Sequence, residues 1–274
     1  MARRLGIIAG GGTLPRLLVE AGRSSGRDPF VLCLEGFADE KDYADVGHAT
    51  APVAKVGRIV EALKSAGCRD LVLAGRMRRP DFRTLVPDFR GVSLLAKLVG
   101  ARGDDAILRI VIEDLEKDGF KVLGVDDILS DLLASEGPIG KHDADARARS
   151  DIARGVAVLR ALGDLDVGQA ATVQDGIVLR IEAAEGTDGL LERTAHLARR
   201  GQGGVLVKLK KAGQERRADL PAIGPDTVKG VASAGLAGIA VEVGGALVLD
   251  REEVARLADD AGVFVVGIAA ERRG

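Results

Sequence analysis

Between Val207 and Thr227 the chain carries Lys208 and Lys210, then Arg216 and Arg217, then Asp219 and Asp226 on either side of LPAIGP. If VLVKLKK is a strand, alternation puts Lys208 and Lys210 on one face and Leu209 on the other. Two ammonium groups side by side repel unless an anion or an acid lies between them. Hydrolysis of a diphosphate needs cations to neutralise oxygens and carboxylates to hold a metal or orient water, and this stretch supplies both. Asp226 and Thr227 also open a helical pattern, where either serves as an ordinary cap, and the whole stretch also reads as a solvated loop.

A second acidic group follows IVLRIEA. Glu182, Glu185 and Asp188 lie close together after a strand, and hard oxygen donors of this kind suit Mg²⁺. Thr187 and Asp188 equally suit the cap of the helix that follows. Near the N-terminus, AGGGTLPRLL leaves an apolar run and opens a helix, with Pro15 suited to its first turn. Gly11 and Gly12 let the backbone approach a ligand. Thr13 and Leu14 stand at a helix N-terminus, whose N–H groups and dipole favour an anion, phosphate above all. The loop is not GxGxxG, because Pro15 stands where the third glycine would fall, and no GK[ST] follows to make a Walker loop. Glu35, ending the second apolar run, would suit the ribose of a dinucleotide; a turn serving chain geometry alone is the plain alternative.

Other candidates are weaker. LAGRMRRP, residues 73–80, brings Gly75, Arg76 and two further arginines out of a strand, as a phosphate clamp or as ordinary surface. Asp104 and Asp105 mark a helix start, where capping accounts for one of them. His48, His142 and His196 lack zinc spacing, and His196 falls within a helical pattern. HExxH is absent from the sequence, and no pairing suggests a Ser or Cys nucleophile.

The elements that must position these residues follow two patterns. Residues 5–9, 30–34 and 70–74 are short apolar runs separated by helical periodicity, which predicts a parallel sheet with crossover helices. VGRIVEALKSAG is one such helix, a longer helical region runs from Gly91 to Asp118, and FKVLGV is the next strand. The stretch 134–150, rich in glycine and charge, reads as a linker and hinge. Beyond it AATVQDGIVLRIEA predicts a hairpin turning at Asp175-Gly176, and GIAVEVGGALVLD one turning at Gly244-Gly245. Each is followed by a helix (188–200, 251–261) and a strand (204–209, 263–267), a ββαβ pseudo-repeat. The expected architecture is α/β throughout. A Rossmann-like parallel-sheet domain spans 1–133, and a second α/β domain with a mixed sheet built from hairpins spans 151–274.

Composition agrees with that division. At 274 residues the chain is long for one domain, and a core with 46% apolar residues but 3% aromatics and no Trp must be made of Val, Leu, Ile and Ala. A net charge of −2 gives no reason to expect nucleic acid as a partner. Cys33 and Cys68 stand apart, as in a reduced cytoplasmic protein. MARRLGIIAGGG reads as a first strand and not as a signal peptide.

Taken together, GIIAGGGTLP, DVGQAATVQDGIVLRIEAAEGTDG and VLVKLKKAGQERRADLPAIGPDTV resemble the LpxI-type UDP-2,3-diacylglucosamine pyrophosphatases of lipid A biosynthesis. The terminal GIAVEVGGALVLDREEVARLADDAGVFVVG fits the same pattern, so the resemblance runs over nearly the whole chain. One departure is Glu215, where many relatives carry Asp. The resemblance implies a Mg²⁺-dependent hydrolase that closes two domains over UDP-2,3-diacylglucosamine. By the same resemblance, water would attack the sugar-side phosphorus and release UMP and 2,3-diacylglucosamine 1-phosphate (lipid X). It implies that Asp226, in the GPDT motif, is tied to hydrolysis; beside it the charge pattern puts Lys208 and Lys210 toward the anion and Asp219 toward metal and water. Metal would fall to Asp226, Asp188 and Glu185. Substrate would fall to Gly11, Gly12, Thr13, Leu14, Gly75, Arg76, Gln169, Gly186, Thr187, Asp188 and Thr227. A cytoplasmic location with transient contact at the inner-membrane surface goes with such a substrate, and hairpin edges are compatible with a homodimer. A dinucleotide-dependent oxidoreductase and a nucleotide-sensing module are the competing readings.

Overall fold

The computed structural model describes residues 4–77, 85–98, 100–101, 103–163, 165, 167–197, 201, 203–211, 213–217 and 220–269. The chain divides into two compact units. Unit 1 takes residues 1–130 together with 215–219, and unit 2 takes 131–214 and 220–274.

Unit 1 is a parallel sheet in the order β3-β2-β1-β4-β5, formed by β1 (Arg4–Ala9), β2 (Pro29–Leu34), β3 (Gly47–Ala51), β4 (Cys68–Ala74) and β5 (Lys121–Leu123). Its helices are α1 (Leu14–Ser24), α2 (Val56–Ser65), α3 (Phe89–Leu98) and α4 (Asp104–Lys117). Strands covered on both faces read as unbroken apolar runs, which is why LGIIA and FVLCL are legible. On one face Ile8, Leu32 and Leu71 pack with Leu63 of α2 and with Ile112 and Leu115 of α4. Burying each such side chain stabilises by about 1.5–3 kcal/mol. β3, with the sequence GHATA, has no apolar run to reveal it; it lies at the sheet edge with Gly47 and His48 exposed. The region 91–118 is two helices, and Gly103, at φ +86°, stands immediately before α4.

Unit 2 is a mixed sheet in the order β6-β13-β11-β9-β7-β8, from β6 (Gly137–Pro138), β7 (Ala170–Gln174), β8 (Ile177–Ile181), β9 (Val205–Lys208), β11 (Gly238–Glu242) and β13 (Phe264–Ile268). β9, β11 and β13 run parallel, and β7 runs antiparallel to both β8 and β9. α5 (Ala146–Gly163) covers one face, where Ile152 and Leu159 join Val205, Val207 and Leu209. α6 (Gly186–Ala195), α7 (Pro225–Ser233) and α8 (Arg251–Ala261) cover the other, where Leu190, Val228 and Val254 join Leu206, Ile239 and Val241. Within 134–150, β6 pairs with β13, and Ala134, Ile139 and Ala144 are buried in these cores.

The first predicted hairpin is present. Asp175 (φ 53°) and Gly176 (φ 74°) make the two-residue turn between β7 and β8, with positive φ at both positions as such turns require. Asp151 of α5, 1% exposed, fixes that turn: its carboxylate accepts the Asp175 N–H at 3.0 Å and the Gly176 N–H at 2.7 Å. Asp151→Ala strips both donors of their partner, and we expect a loss of about 1–3 kcal/mol, read as a lowered urea midpoint.

The second hairpin does not form. β11 already has β9 on one side and β13 on the other, so it has no edge to offer. After the Gly244 turn the chain leaves the sheet, and β12 (Leu247–Val248) pairs in parallel with β10 (Ala222–Ile223) in a separate ribbon. The ββαβ pattern is therefore complete once, in β7-β8-α6-β9, and breaks at its second copy.

Candidate functional site

In unit 2 the carboxyl ends of β8, β9 and β11 place Glu182, Lys208 and Glu242 along one edge of the sheet. Lys208 lies opposite Ala170 and Val241, in a strand buried on both faces. Its even register shares Leu206's face, so the side chain rises toward α6 and is 6% exposed. The ammonium donates to Thr187 Oγ1 at 2.8 Å and to the Ala222 carbonyl at 2.9 Å. Thr187 Oγ1 in turn donates to Glu182 Oε1 at 2.6 Å, and Glu182 Oε2 accepts the Gln169 N–H at 2.9 Å. Glu182 is itself 5% exposed. Gly168, at φ +51°, allows this approach: a Cβ there would lie 1.9 Å from the Glu182 carbonyl oxygen.

Thr187 and Asp188 do not cap α6. The N-cap position is Glu185, so both residues sit inside the first turn, and Thr187 turns its hydroxyl into the network just described. Glu185 pairs with Arg193 on the same helix, while Asp188 is exposed. His196 follows the last residue of α6 and is exposed, not mid-helix.

Asp226 is likewise not a cap. Gly224 is the N-cap of α7, and Thr227 Oγ1 reaches back to accept the Gly224 N–H at 3.2 Å. Asp226 stands in the first turn, its side chain 79% exposed, with Lys229 one turn on at 3.5 Å. A carboxylate there is favoured by the helix dipole and open to solvent on its outer side.

The cationic stretch 208–217 is divided between the units. β9 ends at Lys208, so the alternation expected to carry Lys210 stops short; the Lys210 N–H bonds Glu242 Oε2 at 2.9 Å. Glu242 also pairs with Arg160 of α5 at 2.7 Å. Both residues escaped the sequence reading, although a lone acid closing the apolar run GIAVE is a legible signal. Glu215, Arg216 and Arg217 belong to unit 1. There the Glu215 N–H bonds Asp105 of α4, Arg216 pairs with Asp126, and Arg217 pairs with Glu116 and Glu215. Hydrogen bonding to Arg217 pulls the Glu215 carboxyl below its usual range and raises the Arg217 guanidinium. These arginines hold acids of unit 1. Neither Asp104 nor Asp105, one of them expected as a cap, holds the N-cap: both lie inside the first turn of α4 behind Gly103, and Asp105 serves this segment and Arg109. Asp219 lies outside the described residues, as do Arg78 and Arg79.

In unit 1 the glycine loop leaves β1, and Gly75 and Arg76 leave β4, the adjacent strand. Strand order reverses between these two, which is where open α/β sheets bind ligands. The Gly10 N–H bonds the Ala74 carbonyl at 2.8 Å, and Gly11 and Arg76 exchange N–H···O bonds at 2.8 and 2.7 Å. The N–H groups of Gly12, Thr13 and Leu14 come next, at the start of α1, where Thr13 is the N-cap without a side-chain cap bond. Gly11 thus shapes the loop, and the N–H groups that follow it stand at a helix N-terminus, where such donors favour an anion.

Two family models match the chain: the LpxI N-terminal domain over residues 4–132 and the LpxI C-terminal domain over residues 135–266. The chain belongs to the LpxI family. The UDP-2,3-diacylglucosamine pyrophosphatase LpxI of Caulobacter vibrioides is 43% identical to it over 283 aligned positions, covering 99% of each chain. Two solved structures align weakly. N5-carboxyaminoimidazole synthase from Aspergillus clavatus has 15% identity and a TM-score of 0.23 over 70% of this chain and 44% of that one. Isoflavone reductase has 12% identity and a TM-score of 0.28 over 98% and 79%. The LpxI models cover both the glycine loop of unit 1 and the Glu182–Lys208 edge of unit 2.

Among the described residues, no group of three or more His, Cys, Asp or Glu could hold a metal ion. A closed cage is not what Mg²⁺ needs, however. It commonly takes one or two carboxylates and completes its shell with substrate phosphate oxygens and water. Asp226 and Asp188 are each exposed in the first turn of a helix, whereas Glu185 is engaged by Arg193.

Proposed function

We propose that this chain hydrolyses the diphosphate of UDP-2,3-diacylglucosamine to UMP and 2,3-diacylglucosamine 1-phosphate. The observation that carries the proposal is 43% identity, over 99% of both chains, to a curated pyrophosphatase of that substrate. Membership of the LpxI family displaces the oxidoreductase and sensing-module readings.

In unit 1 the Gly12, Thr13 and Leu14 N–H groups take the nucleotide phosphate, with Gly75 and Arg76 beside them. In unit 2 Lys208 and Lys210 supply positive charge. Gly186, whose own N–H bonds the Ala183 carbonyl at 3.2 Å, leads into the first-turn N–H groups of Thr187 and Asp188, which add donors for the sugar-side phosphate, as do the Gln169 side-chain amide and the Thr227 hydroxyl. Water attacks the sugar-side phosphorus. The bond from that phosphorus to the bridging oxygen breaks, UMP leaves with that oxygen, and the water yields its protons to solvent or a carboxylate. Asp226, with Asp219, orients that water. Mg²⁺ bound by Asp226 and Asp188 would neutralise diphosphate oxygens. The acyl chains favour a bilayer by about 0.8 kcal/mol per methylene, so transient contact with a membrane surface belongs to the reading. No described helix is long and apolar enough to cross one.

We expect purified protein to release UMP from UDP-2,3-diacylglucosamine with Mg²⁺ and to stop on addition of EDTA. In ¹⁸O-water the label enters the lipid phosphate. Absence of Mg²⁺-dependent UMP refutes the activity, and label in UMP refutes sugar-side attack.

A further inference from the structure

Glu182 is a buried carboxylate that makes no ion pair of its own among the described residues. Its oxygens accept the Thr187 hydroxyl at 2.6 Å and the Gln169 N–H at 2.9 Å. The positive charge on this chain of bonds is one hydroxyl away, at Lys208, which donates to the same Thr187 oxygen at 2.8 Å. The direction of the Thr187 proton follows from these neighbours. An ammonium can only donate and an ionised carboxylate can only accept, so the hydroxyl proton points to Glu182 and a lone pair receives Lys208. A hydroxyl has one proton, and here it is committed.

We infer that Glu182 and Thr187 are positioning residues for Lys208, and that the Thr187 hydroxyl is a relay between two buried charges and not a donor to substrate phosphate. Glu182 balances the lysine charge in a setting where each group alone would be costly to bury. The Ala222 carbonyl holds the ammonium from the other side at 2.9 Å, so its place at the carboxyl end of β9 is fixed before any anion arrives. Both anchors hold for structural reasons. Thr187 is pinned in the first turn of α6, and Glu182 is tied to the sheet by its own N–H on the Ala170 carbonyl at 2.8 Å. The sequence hides this arrangement, because EAAEGTDG looks like a cluster of metal ligands and caps, whereas its first acid points inward.

The kinetic consequence rests on the diphosphatase reading; the network itself does not. The test is a double-mutant cycle on the full chain with Thr187→Val, Lys208→Met and the double variant, and with Thr187→Ser as the conservative change. Thr187→Val is expected to lower kcat roughly 10- to 100-fold with little change in KM, the loss typical of one hydrogen bond to a charged group. Thr187→Ser recovers most of that loss. In the Lys208→Met background Thr187→Val costs no more than about a further twofold, because residues acting as one unit are not additive. Losses that multiply across the cycle, or a Thr187→Val effect confined to KM, would mean that Thr187 meets the substrate itself and would overturn the inference. The same four proteins are compared by thermal unfolding, which needs no substrate: the double variant should lose less Tm than the two single variants together, and additive losses would also overturn it. If the parent releases no UMP, the function falls and the unfolding cycle still decides the network.

Discussion

Asp226→Ala is expected to lose roughly 10²–10⁴-fold in kcat, the range typical of a positioned acid or base, while its Tm stays close to the parent's. The two halves of that expectation rest on one observation. Asp226 stands in the first turn of α7, past the Gly224 cap, and the side-chain bond that closes that end belongs to Thr227, whose hydroxyl oxygen accepts the Gly224 N–H. The Asp226 side chain is largely in solvent, and its ion pair with Lys229 is a long exposed contact of the kind that contributes little. Removing it forfeits a helix-dipole interaction of about 0.3–1 kcal/mol and no packing. Asp226→Asn should behave alike, since it keeps the shape and loses the charge. Steady-state kinetics beside thermal unfolding would decide the matter. Parental turnover in either variant removes Asp226 from the chemistry, and a large drop in Tm returns it to helix structure.

How far the site was legible depended on the range of the contacts involved. The glycine loop and the Asp175-Gly176 turn rest on local conformation, and local conformation is written in the residues themselves. The parallel sheet was legible because strands covered on both faces are apolar throughout; β3 was missed because an edge strand can be GHATA. The second hairpin failed for a non-local reason, since the pairing of β11 is settled by β9 and β13 and not by the glycine turn after it. Charge was hardest to read. Arg216 and Arg217 look like neighbours of Lys208 and Lys210, but their partners Asp126 and Glu116 lie 90 and 101 residues upstream. The reach of Lys208 back to Thr187, and of Thr187 to Glu182, is equally invisible to spacing. Residue type also points to caps that the backbone does not use: Asp104 and Asp105, Thr187 and Asp188, and Asp226 all stand at helix starts, and in each case another residue holds the N-cap.

Gly10→Ala should destabilise the protein by about 1–3 kcal/mol, the usual cost of overpacking, and should weaken UMP binding by roughly tenfold or more, about 1.4 kcal/mol. Gly10 is not among the glycines with positive φ, so alanine meets no backbone penalty there. What it meets is the other loop. A Cβ would lie 2.7 Å from the Arg76 carbonyl oxygen and 3.1 Å from the Gly75 carbonyl carbon, and backbone atoms cannot swing aside as a side chain can. Relief requires the loop after β4 to retreat from the loop after β1, which breaks the Gly11–Arg76 exchange and carries the Gly12 and Thr13 N–H groups out of line. Gly26→Ala is the control, because it separates lost stability from lost binding. Gly26 has φ +72°, in the turn between α1 and β2, and a Cβ added there would meet nothing within 4 Å, so alanine strains the backbone and touches neither loop. Titration calorimetry with UMP should show Gly26→Ala binding as the parent does despite a lowered Tm. If Gly10→Ala also binds UMP with parental affinity, the contact between these loops is a matter of folding alone, and the nucleotide phosphate lies elsewhere.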